Sequence, residues 1–152
     1  MEKTSSTMQL TRAADYGVRV MIHLATLPDK EHTRLPALAQ ATGSPESFLS
    51  KVLQALCRAG FIDSRRGYAG GFEILPPGRN ASIRAVIEAI DGPIRLNLCM
   101  IPGASCDRKS FCPAHPIWAK AQNAMMDVLN KATVAELALE AAAPRVQLTD
   151  AQ

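Results

Sequence analysis

Between residues 36 and 75 the spacing of apolar residues changes from a helical period to a strand period, and this change restricts the chain to few folds. A short helix is predicted over Pro36 to Thr42, with proline at a first-turn position and Gly43 just past its end. A second helix follows almost at once. Ser44 is its expected N-cap, Pro45 its first turn, and Gly60 its stop. Leu49, Val52, Leu53 and Leu56 stand at i, i+3, i+4 and i+7, so one face is apolar. The period then drops to two. Phe61–Arg65 and Gly71–Leu75 read as paired strands around the glycine-rich connection Arg66–Gly70. Two helices joined by a tight turn and followed by a hairpin form a winged helix-turn-helix.

The flanking segments read as more helix. Thr11 is a good cap for a helix over about residues 11–27, with Ala14, Val18, Met21, Ile22 and Ala25 as its buried stripe. Residues 76–80 read as a turn. Ser82 caps a helix that places Ile83, Val86, Ile87 and Ile90 inward and stops at Asp91-Gly92-Pro93. Residues 94–115 contain Pro102, Gly103 and Pro113 and read as a loop. A helix resumes over about 116–131, with Ile117, Ala121, Ala124, Met125 and Val128 on one face. Thr133-Val134-Ala135-Glu136 matches a capping box, which starts a last helix. Residues 1–8 read as a disordered leader, with Met8 as a candidate start, and residues 143–152 as a flexible tail. At 152 residues the chain suits one domain. Aromatics make up only 5%, so the core must be aliphatic. No apolar run reaches the roughly 18 residues of a membrane span, and the N-terminus lacks a secretory pattern. A cytoplasmic location and no membrane partner are expected.

Three groups of residues carry chemistry. The first lies on the second helix of the motif. Ser44 opens it, and Ser47, Ser50, Lys51 and Gln54 repeat at helical spacing opposite the apolar face. Small hydroxyls and an amide around one cation can meet phosphates and base edges, whereas a merely solvated face would carry more Glu and Lys. The second group is the hairpin tip, where Arg65, Arg66 and Tyr68 stand among glycines that allow close approach to a backbone of phosphates. Residues 8–84 hold ten Lys/Arg against six Asp/Glu, which places the basic excess in this half. Double-stranded DNA is the expected partner. The glycine-rich run lacks the order of a nucleotide-binding loop.

The third group is Cys99-x6-Cys106-x5-Cys112-x2-His115. Three thiols in so short a loop point to a metal rather than to a disulfide framework or core filling. His115 is the nearest fourth ligand and Asp15 a more distant one. Cys57 reads as an apolar filler, and His23 and His32 as structural. The residues offer no nucleophile–base pair, no paired carboxylates and no cofactor fingerprint, so neither an enzyme nor a small-molecule substrate is expected.

These residues resemble a family. Met8–Arg19, Leu56–Ile62, Arg65–Phe72, Val86–Gly92 and the three-cysteine loop are similar to the winged-helix transcriptional regulators of the iron–sulfur type (the IscR, NsrR and RirA type), across about residues 8–140. The resemblance implies a mostly α fold with a small β-hairpin: a winged helix-turn-helix over 9–92, a cluster loop over 93–115, and a long dimerisation helix with a C-terminal helix over 116–142. It implies a homodimer on a palindromic operator, probing half-sites about one helical turn apart. It also implies one iron–sulfur cluster per subunit on Cys99, Cys106 and Cys112. Cys112-Pro113-Ala114-His115 resembles members in which the histidine ligates a 2Fe–2S cluster. The opening with Asp15 resembles members in which an aspartate of the partner subunit ligates a 4Fe–4S cluster. The expected function is a regulator, of repressor type, whose DNA affinity follows cluster status, nitric oxide or redox stress. Two rivals remain: the same regulator using zinc or thiol oxidation, and a metal-bearing protein-interaction module without operator binding.

Overall fold

The computed structural model describes residues 10–103 and 106–144; the leader 1–8 and the tail from 145 lie outside the described residues. Its elements are α1 Arg12–Thr26, α2 Leu35–Thr42, α3 Glu46–Arg58, β1 Ile62–Arg65, β2 Gly71–Ile74, α4 Pro76–Arg79, α5 Ile83–Asp91, a 3-10 turn Leu98–Met100, α6 His115–Lys131 and α7 Val134–Ala142.

The capping chemistry legible in the sequence sets several boundaries. The Thr11 hydroxyl accepts the Ala14 amide at 3.1 Å, as an N-cap should. The same hydroxyl donates to the Asp91 carboxylate at 2.7 Å, which ties the start of α1 to the end of α5. Ser82 caps α5 through the Ala85 amide. Thr133 and Glu136 form the reciprocal box: the Thr133 amide donates to the Glu136 carboxylate and the Glu136 amide to the Thr133 hydroxyl.

β1 and β2 pair antiparallel, with Ile62 opposite Ile74 and Arg65 opposite Gly71. Thr33 adds a short third rung, exchanging two backbone hydrogen bonds of 2.9 Å with Phe72. Gly71 sits at φ +141, and a Cβ there would come within 2.7 Å of the Thr33 carbonyl oxygen, so only glycine lets this rung close.

The core is aliphatic, as the low aromatic content requires. Val20, Met21 and Leu24 of α1 meet Leu38, Leu49, Val52, Leu53, Leu56, Ile62, Val86, Ile87 and Val134, all buried. At about 25 cal/mol per Å² of apolar surface, this burial is the main stabilising term. α7 packs along α1, and the Ile83 and Val134 amides bond to the Ala132 and Ala81 carbonyls at 2.9 Å. The C-terminal helix therefore completes the winged-helix core, although it follows α6 in sequence.

Four local expectations need correction. The buried stripe of α1 is Ala14, Gly17, Val20, Met21, Leu24 and Ala25; Val18 and Ile22 are only partly buried. Both sets fit a 3.6-residue period. The choice falls to Gly17, where a Cβ would meet the Ile90 Cδ1 at 2.0 Å, so α5 closes on the helix at its bare point. Ser44 is not the cap of α3. Pro45 holds that position with no side-chain cap, and the Ser44 and Thr42 hydroxyls, both buried, share a hydrogen bond at 3.0 Å. Residues 76–79 form a one-turn helix, from which Arg79 donates to the Ala25 and Leu27 carbonyls at the end of α1. Finally, α6 begins at His115, one residue before Pro116.

Candidate nucleic-acid interface and metal centre

α2 and α3 meet at Gly43, which takes the left-handed conformation at φ 68 that the tight turn needs. Leu49, Val52, Leu53 and Leu56 are buried, so the opposite face of α3 must point outward. Ser47, Lys51 and Gln54 are exposed there. Ser50 is half-buried, and its hydroxyl donates to the Glu46 carbonyl at 3.2 Å. Ser44 stands apart from this set because its side chain is buried. Arg65 and Arg66 are exposed on the wing, and Tyr68 at its tip is 96% exposed.

A groove of about 510 Å³ runs between α3 and the wing, lined in part by Ser50, Gln54, Arg58, Ser64 and Arg66. Arg58 and Ser64 were not singled out in the sequence. Arg58 lies four residues past Gln54 and seven past Lys51, so the helical spacing already carried that signal. Cys57 also lines the groove, and burial pushes its thiol above the usual range, against a lowering contact from the Ser64 hydroxyl. Its thiolate is correspondingly scarce at neutral pH, in keeping with a filler.

The cysteine loop is built differently. Cys99 sits in the 3-10 turn, while Cys112 lies three residues before His115, the first residue of α6. All three cysteines of the loop are free thiols of intermediate exposure. Together with His115, Asn97, Leu98, Lys109 and Trp118, they line one cavity of about 200 Å³. The Leu96 amide donates to the Gln122 side-chain oxygen at 2.9 Å, which ties the segment entering this cavity to α6. The His115 Nδ1 is buried without a hydrogen-bond partner. Among the described residues no three Cys, His, Asp or Glu side chains stand close enough together to grip a metal ion. The donor set nevertheless suits a thiophilic group: three cysteines and a histidine whose Nδ1 lacks a partner line one cavity. Asp15 does not share it; its carboxylate pairs with Arg19 of its own helix at 2.8 Å.

A short helix, a second helix with a polar outer face and an arginine-bearing wing define a winged helix-turn-helix transcriptional regulator. The chain belongs to the Rrf2 family, whose model, described as an iron-dependent transcriptional regulator, matches residues 10–140. Protein aau3 of Rhizobium meliloti is 31% identical over 131 residues, covering 86% of this chain and 84% of that protein. The fold is also that of CymR, the global cysteine regulator of B. subtilis (TM-score 0.69, 23% identity, 88% of this chain and 98% of that one). The T. potens IscR shares it as well (TM-score 0.70, 22% identity, 88% of each chain). Regulators of this family bind DNA and commonly act as dimers. The family and these neighbours are regulators rather than enzymes. Among the described residues no helix is long and apolar enough to cross a membrane.

Proposed function

We propose that this protein is a cytoplasmic homodimeric repressor whose grip on a palindromic operator is set by an iron–sulfur cluster held by Cys99, Cys106, Cys112 and His115. One observation carries the reading: the three thiols and the unpartnered imidazole of His115 line a single cavity where the loop meets α6. The iron in the family's description supports it. His115 is taken as the fourth ligand because it lines the cysteines' cavity and its Nδ1 is buried without a partner; Asp15 of the partner subunit is the alternative. When bound, the cluster would supply a centre that reacts with oxidants or nitric oxide.

The chain's own residues supply the rest. Drawing Cys99 and Cys106 toward Cys112 and His115 orders the loop against the first turn of α6. The outer stripe of α6 is unpaired within the protomer: Ile117 is 59% exposed, Val128 is 68% exposed, and Ala121 and Ala124 are exposed between them. A second copy covering that stripe would fix the separation of the two α3 helices. Ser47, Ser50, Lys51 and Gln54 would then reach base edges and phosphates, with Arg65, Arg66 and Tyr68 on the flanking backbone or minor groove. Cluster and operator must influence each other reciprocally.

Anaerobic purification with iron, sulfide and zinc counted per chain, followed by Mössbauer spectroscopy, tests the cluster. Iron with equimolar sulfide and visible charge-transfer bands is expected. Zinc without labile sulfide would point instead to a zinc or thiol-oxidation regulator, a reading favoured by the likeness to a cysteine regulator. Loss of operator binding without a steep salt dependence in any form would leave only a protein-interaction module.

A further inference from the structure

The N-cap of α2 is Arg34, and its side chain makes no cap hydrogen bond. Serine, threonine or aspartate would serve that position better, and a cation there opposes the helix dipole. The side chain instead reaches the wing. Its guanidinium lies over the Tyr68 ring, 5.4 Å from the centroid, and also donates to the Tyr68 carbonyl oxygen. Tyr68 is 96% exposed, so it packs into no apolar pocket of the protein. The neighbouring residues grip the same hairpin lower down. Thr33 pairs with Phe72 through the backbone, and His32 stands 3.6 Å from the Glu73 carboxylate at the hairpin's base.

We propose that Arg34 is a positioning residue for duplex binding. It holds Tyr68 and the wing tip in the conformation that meets DNA, so the wing docks already ordered instead of losing its freedom on binding. The proposal rests on the reading that the wing touches DNA. A planar guanidinium lies flat on a ring while its edge donates, a geometry the compact ammonium on its four-carbon stem does not reproduce, so lysine should substitute poorly.

The test is operator affinity of the full-length protein over a range of salt, with thermal midpoints measured alongside. Arg34→Ala should weaken binding about fivefold, the size expected of an exposed cation–π contact. Arg34→Lys should lose nearly as much, Tyr68→Ala a similar amount, and the double variant no more than either single one. The salt slope and the thermal midpoint should stay unchanged. Additive losses, rescue by lysine, or a slope that falls by about one unit would show Arg34 touching phosphate itself and would overturn the positioning role. Unchanged affinity in Arg66→Ala and Tyr68→Ala would instead remove the wing from the interface, and the proposal with it.

Discussion

The winged-helix core and the cysteine loop differ in what each holds within one protomer. From α1 to α5, with α7 closing the far side, leucines and valines are buried against one another, and the starts of α1, α5 and α7 are capped. From Gly92 to Ala114 the described residues bury almost nothing; Leu98 is 58% exposed and Phe111 69% exposed. The core satisfies its own apolar surface. The loop and the outer face of α6 leave theirs open, as do regions completed by a bound group or a second chain. On the proposed function, reading DNA and sensing a signal fall to parts with opposite demands: one must hold a fixed shape, and the other must change with its occupant.

This contrast can be broken by substitution. Leu49→Ala removes a side chain with no exposure, and the metal-free protein should lose about 2–5 kcal/mol, measured as a lower denaturant midpoint. Gly17→Ala drives a methyl into Ile90, a side chain able to shift, so a loss of about 1–3 kcal/mol is expected by the same measurement. In the open region the expectation reverses. Cys106→Ala and Val128→Asp should each change the stability of the metal-free protomer by no more than about 0.5 kcal/mol. The first should nevertheless abolish iron retention, and the second should convert dimer to monomer in sedimentation. A large fall in helical content from Cys106→Ala would contradict the division. The smallest effect is at Glu136, whose carboxyl is held below its ordinary value of 4.5 by hydrogen bonds from the Thr133 amide and hydroxyl. A lowered native pKa means the cap is fully in place above that value and weakens as the pH falls below it. The protection of the Thr133 amide, its exchange rate compared with the intrinsic rate at the same pH, should fall on acidification in the native chain and stay flat in Glu136→Gln.

The sequence disclosed what local chemistry decides. Thr11, Ser82 and the Thr133–Glu136 box set helix starts because each cap is a short-range hydrogen bond. The apolar face of α3 and the existence of the hairpin follow from period and the glycine-rich connection. What stayed hidden depends on contacts distant in the chain. Ser44 looked like a cap until Thr42 claimed its hydroxyl. The stripe of α1 was misjudged by part of a turn because Ile90, seventy-odd residues on, settles which side is bare. Arg34 carried no recognisable motif, since its partner Tyr68 comes from a different element. The cavity was partly foreseeable: clustering named the three thiols and His115, but not Lys109 or Trp118 beside them.

The seat of Ile90 has a mechanical corollary. Its side chain fills the notch at Gly17 and borders a crevice with Phe48, Lys51, Val52 and Arg58 of α3, while Asp91 next to it is latched by Thr11. The loop that carries the cysteines follows Gly92, the residue that ends α5. On the proposed function, a change in the cysteine loop would therefore reach the joint between α1 and α3 through Asp91 and Ile90, without an intervening element.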